Sequence, residues 1–98
     1  MAMYKLVNSE LINFGLIENV KLNTVSQNTY KDKGFVPVST EVVFVNADSK
    51  KSSHIVFNLG VLLSDEEGLE FLELLLEKVN SSDSKISLNE LVEEVRKK

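Results

Sequence analysis

His54 is the only histidine in the chain and therefore the one side chain whose ordinary titration range suits a general base at neutral pH. In that role it needs a nucleophile and an orienting carboxylate brought to it by the fold. Ser52 and Ser53 supply hydroxyls, and Asp32 and Asp48 supply carboxylates. Their spacing favours no such arrangement over any other, and a strand-borne histidine facing solvent or filling a polar gap is the expectation. No catalytic or cofactor-binding residue is assigned, and the chain is read as not an enzyme.

Metal chemistry is equally poorly supported. An EF-hand loop requires oxygen ligands at alternate positions, a central glycine and a closing glutamate. The segment beginning Asn80-Ser81-Ser82-Asp83-Ser84 lacks the glycine and carries Leu91 at its twelfth position. With no cysteine there is neither a thiolate site nor a disulfide framework. Gly15, Gly34, Gly60 and Gly68 are scattered, so no phosphate-cradling loop is formed. No metal and no cofactor is expected.

Charge is the next candidate. Lys31 and Lys33 lie beside Tyr30 and Phe35, a combination that could stack and neutralise a single strand of nucleic acid. Lys50 and Lys51 lie beyond the other end of the intervening strand, about 30 Å away for ten extended residues. Two such pairs do not make one groove, and the chain is net acidic at −4, so direct nucleic-acid binding is not expected. The opposite arrangement is more regular. Glu66, Glu70, Glu73 and Glu77 form one row on a helix, rising roughly 5–6 Å per step, a spacing a basic groove could accept in place of phosphates. A solvated outer face is the simpler account of that row.

These carboxylates need a helix to align them, and the sequence predicts one from Ser64. Ser64 is placed as N-cap with Glu67 at the reciprocal capping-box position, and Asp65 and Glu66 fall in the first turn, where the helix dipole favours acids. Leu69, Phe71, Leu72, Leu75, Leu76 and Val79 fall on one broad arc opposite the glutamates, predicting a helix over 64–79 whose apolar arc covers a sheet. Leu74 is the misfit, because the same periodicity sets it on the acidic side. A second capping box, Ser87 to Glu90, and an Ile86–Leu91 hydrophobic staple predict a short C-terminal helix with Leu88, Leu91, Val92 and Val95 as its apolar stripe. Docking of this second helix, or of a second copy, against Leu74 is the expected explanation of the misfit.

Upstream of Ser64 the pattern is β-like. Tyr4–Val7 reads as a short strand or lead-in, Leu16 to about Val25 as a strand, Val36–Val45 as a strongly β-branched strand, and His54–Leu63 as another. Pro37 cannot donate to a ladder and is placed at a strand's beginning or on an edge. The stretches 26–34 and 46–53 read as polar loops too short for crossover helices. Leu11 to Ile17 could instead begin with a helical turn.

The expected fold is therefore α+β: an antiparallel meander of about four strands covered by one long amphipathic helix, plus a short C-terminal helix. The 98 residues are read as a single domain, with 1–63 mainly β and 64–98 helical. Residues 1–63 hold five acids and six lysines, and the remainder holds ten acids and five bases. The N-terminal stretch has no unbroken apolar core of a signal peptide, because Asn8, Ser9, Glu10 and Asn13 interrupt it. No apolar run is long enough to span a bilayer, and a cytoplasmic protein without membrane contact is expected.

The expected function is a small non-catalytic protein–protein interaction module, self-associating or part of a hetero-complex. Its candidate surface comprises Leu74, Glu70, Glu73, Glu77, Leu88 and Val92, with an exposed sheet edge as a second surface. The alternative is an accessory or inhibitory protein of a phage or other mobile element that blocks a nucleic-acid-handling enzyme through its acidic helix.

Overall fold

The structure is a computed structural model that describes residues 4–28, 34–47 and 54–97. It is α+β, in the order β1 (Tyr4–Val7), β2 (Glu10–Asn13), a 3-10 turn (Phe14–Leu16), β3 (Ile17–Asn28), β4 (Phe35–Asn46), β5 (His54–Asn58), α1 (Asp65–Asn80), β6 (Lys85–Ile86) and α2 (Leu88–Arg96). The expected single four-stranded meander is corrected to two three-stranded sheets, ordered β2-β1-β6 and β3-β4-β5. The chain divides into two compact units, one formed by 1–17 with 64–98 and the other by 18–63.

In the first unit β1 and β2 form a tight hairpin, with Val7 opposite Glu10. Its two-residue turn, Asn8-Ser9, requires a left-handed residue. Asn8 adopts φ 53°, a conformation asparagine tolerates better than most side chains. On its other side β1 pairs in parallel with β6. The Leu6 amide donates to the Ser84 carbonyl at 2.8 Å and the Asn8 amide to that of Ile86 at 3.0 Å. This parallel pair is why the meander expectation fails, since β1 takes a neighbour from near the end of the chain rather than the next strand. The segment between the two helices thus contains a two-residue strand.

Lys5 lies within this arrangement, only 7% exposed. Its Nζ donates to the Ser81 carbonyl at 2.9 Å and to the Asp83 carbonyl. A buried ammonium is tolerated only when its donors are met, and here carbonyls just past the end of α1 meet two of them. They lie where the helix dipole also favours a cation. The Asn8 side chain completes the join, its Oδ1 accepting from the Leu88 amide in the first turn of α2 at 3.1 Å. Val7, Ile12, Phe71, Leu75, Ile86, Leu88, Leu91, Val92 and Val95 are the buried apolar side chains among the described residues of this unit.

Both helices start where their caps predict. Ser64 Oγ accepts from the Glu67 amide at 3.2 Å, and Glu67 Oε1 accepts from the Ser64 amide at 2.9 Å, closing the capping box. Ser87 Oγ accepts from the Glu90 amide at 3.4 Å, the N-cap half of the expected second capping box, and both staple residues, Ile86 and Leu91, are buried. The two helices pack together.

In the second unit β5 pairs antiparallel with β4, setting Val42 opposite Phe57 and Phe44 opposite Ile55. The Phe44 and Phe57 rings, diagonal neighbours on the ladder, meet edge to face at 5.8 Å and 87°. β5 ends at Asn58, whose Oδ1 accepts from the Gly60 amide at 2.7 Å. Gly60 takes φ +76°, which only glycine adopts freely. Beyond this bend the chain returns to β4: the Leu59 amide donates to the Thr40 carbonyl and the Thr40 amide to the Val61 carbonyl, a bulge with residues 59–61 against Thr40. Thr40 Oγ1 then accepts from the Leu63 amide at 2.9 Å. The alternation expected through 54–63 survives the bend, with 55, 57, 59, 61 and 63 more buried than 54, 56, 58, 60 and 62. Pro37 sits near the start of β4, clear of the five positions paired with β5. The loops expected at 26–34 and 46–53 fall largely outside the described residues.

Candidate interaction surface

The buried seam of α1 is Gly68, Phe71 and Leu75, spaced i, i+3, i+7. It differs from the expected arc in its centre. Leucine count alone sets the arc around Leu72 and Leu76, whereas the large ring of Phe71 and the absent side chain of Gly68 mark the face that is buried. Rotating the helix to that seam moves Leu74 to a half-buried position and exposes Leu69 and Leu76.

The outward surface of α1 therefore carries two parallel rows. Asp65, Leu69, Leu72 and Leu76 make one, spaced i, i+4, i+7, i+11; Leu72 is half-buried, while Leu69 and Leu76 remain 64% and 61% exposed. The second row is Glu66, Glu70, Glu73 and Glu77, each one residue further on and about 100° around the helix. Glu66, Glu73 and Glu77 are exposed and Glu70 is half-exposed. The helix carries six acids and one base, Lys78, whose ammonium lies 3.7 Å from the Asp83 carboxylate.

The expected surface is thus divided. Glu70, Glu73 and Glu77 stand together on the outer face of α1. Leu74 is half-buried, and Leu88 and Val92, 1% and 7% exposed, are committed to the interior. Leu69 and Leu76 were missed because they had been spent on the core arc. The i, i+3, i+7 run of Gly68, Phe71 and Leu75 was the signal that frees them.

Other candidates resolve as follows. His54 is an exposed residue at the end of the β4–β5 ladder, opposite Val45. The side chains considered as its partners, Asp32, Asp48, Ser52 and Ser53, lie outside the described residues, as do Tyr30, Lys31, Lys33, Lys50 and Lys51. Phe35 is exposed at the start of β4. Among the described residues no group of three or more His, Cys, Asp or Glu side chains is placed to hold a metal ion. No described helix is long and apolar enough to cross a membrane. No protein-family model, curated protein or solved structure matches the chain.

Proposed function

We propose that the protein is a non-catalytic interaction module that binds another protein chain, or a second copy of itself, through the outer face of α1. The observation that supports this is the leucine row Leu69–Leu72–Leu76 held beside an acidic row on a well-capped helix. Single exposed leucines are ordinary, but two largely exposed ones a full two turns apart on one line, joined by a half-buried third, make a continuous apolar strip. Burying a leucine contributes about 1.5–3 kcal/mol, so covering the exposed parts of Leu69 and Leu76 is worth about 1–2 kcal/mol each. The setting we propose is the cytoplasm, consistent with a cysteine-free chain.

The test is the double variant Leu69→Gln/Leu76→Gln. If the row serves binding, the thermal midpoint changes by less than about 2 °C, and any self-association seen by light scattering across a concentration series is lost. If the leucines are buried within the folded chain in solution, about 2–4 kcal/mol disappears and the midpoint falls by roughly 8 °C or more. That fall overturns the reading.

A second reading is favoured by the exposure of Glu66, Glu73 and Glu77: an inhibitor, of phage or mobile-element type, that occupies a basic nucleic-acid groove. It requires binding that salt weakens strongly and that leucine replacement leaves unchanged.

A further inference from the structure

We infer that the occupant of the α1 face is a basic amphipathic helix of a different protein rather than a second copy of this chain. This deepens the proposed function and rests on it. The argument is charge complementarity along two parallel rows. An apolar row two turns long, about 10 Å, accepts a helix that presents its own apolar side chains at i, i+3 or i+4 and i+7, ridge against groove. The row beside it carries Glu66, Glu70, Glu73 and Glu77, and Asp65 heads the leucine row itself. A partner seated on the leucines therefore passes directly over carboxylates, and lysine or arginine one residue out of step with its apolar positions meets them.

A second copy fails this requirement. Two α1 helices packed antiparallel, leucine row to leucine row across a two-fold axis, bring acidic rows together, and like charges juxtaposed at an interface are strongly disfavoured; packed parallel, they set each acidic row toward the other helix's Gly68–Phe71–Leu75 flank, which carries no base. The only base on the helix, Lys78, already lies beside Asp83 at 3.7 Å and is not in either row. A partner with a neutral apolar helix would fit the leucines but leave the exposed Glu66, Glu73 and Glu77 without a cation at the rim.

The experiment titrates the intact chain with three synthetic 18-residue peptides: a leucine–lysine amphipathic helix, a scrambled peptide of the same composition, and the amphipathic peptide with every lysine replaced by glutamate. Binding is read by anisotropy of the labelled peptide and by amide shifts of the protein. The expected result is that the amphipathic lysine peptide binds at least about tenfold more tightly than the scrambled one, the worth of one well-buried anchor. Its shifts should centre on residues 69–77. Leu69→Gln/Leu76→Gln should abolish the preference, and raising salt toward 0.5 M should weaken binding several-fold. Glu73→Lys/Glu77→Lys, which leaves the leucines in place, should reverse the preference toward the glutamate peptide. Equal binding of the scrambled peptide shows that charge alone acts and overturns the inference. So does absence of binding by all three. Self-association through α1 that the leucine variant removes also overturns it, while leaving the interaction-module reading intact; that reading fails separately, by the drop in thermal midpoint of the leucine variant.

Discussion

Lys5 offers the most direct test of how the first unit is held together. Replacing it with methionine keeps an unbranched stem of similar length in the same place and removes only the ammonium. Two charge-assisted hydrogen bonds then vanish, to the carbonyls of Ser81 and Asp83. Bonds to a charged group contribute about 1.5–3 kcal/mol each. Asp83 is exposed, so water replaces the lysine there at small cost, whereas the half-buried Ser81 carbonyl is less easily rehydrated. The expected loss is thus about 2–3 kcal/mol, a large share of the 5–15 kcal/mol typical of a folded domain. For a chain of this size it corresponds to roughly 8–20 °C in melting temperature. Lys78→Met is the internal control. It acts on the same connector but removes only an exposed pair with Asp83 at 3.7 Å, worth less than about 0.5 kcal/mol. Urea unfolding followed by far-ultraviolet circular dichroism at 222 nm reports the two helices, both of which belong to this unit. A Lys5→Met loss no larger than that of Lys78→Met would refute the assignment of Lys5 as the tie between β1 and the end of α1.

Two further perturbations probe single joints by urea unfolding followed over the whole far-ultraviolet spectrum, since Thr40 belongs to the second, all-strand unit and Asn8 to the first. Thr40→Val leaves the Leu63 amide without its 2.9 Å acceptor at nearly constant volume, so a loss of about 1–3 kcal/mol is expected. Thr40→Ser should retain more than half of it, and a valine variant as stable as the parent contradicts the bond's role. Asn8 serves twice, through its left-handed backbone and its acceptor for the Leu88 amide. Asn8→Gly, losing only the acceptor, should cost about 1 kcal/mol, and Asn8→Ala about 2 kcal/mol. Alanine proving the better replacement would show that the φ 53° conformation imposes no constraint.

Locally specified features were legible. Ser64 with Glu67, and Ser87 with the Ile86–Leu91 staple, placed both helix starts because capping is decided within four residues. The long strands were visible in the β-branched alternation around Val42 and Val43. What was not legible depends on distant residues. Nothing in Lys85-Ile86 distinguishes a strand from a polar connector; these two residues become a strand because Leu6 and Val7 pair with them. Lys5 likewise looks like any solvated lysine until the Ser81 and Asp83 carbonyls are brought to it. The surface was half legible. The glutamate row was found from its spacing, but its leucine neighbour was hidden, because hydropathy alone weighs Leu69 and Leu76 as heavily as Leu75. Gly68 scores as neutral yet occupies the buried seam.

The long-range ties also bear on why we propose a binding face on α1 and not on a sheet edge. Lys5 and Asn8 bond partners separated from them by 76 to 80 residues, so the sheet of the first unit is complete only when both ends of the described chain have met. Contacts of such separation cost loop-closure entropy before they contribute stability. The β6 edge therefore forms only with the long-range pairing, and it offers only two residues to a partner. α1 has a different basis. Its sixteen residues begin from a closed capping box, three of its six acids lie in the first turn where the dipole favours them, and its outer rows are fixed relative to each other by helical geometry alone. The leucine and glutamate rows keep their one-residue offset whatever the rest of the chain does, so the proposed recognition pattern is built on the element whose internal geometry is least dependent on distant contacts.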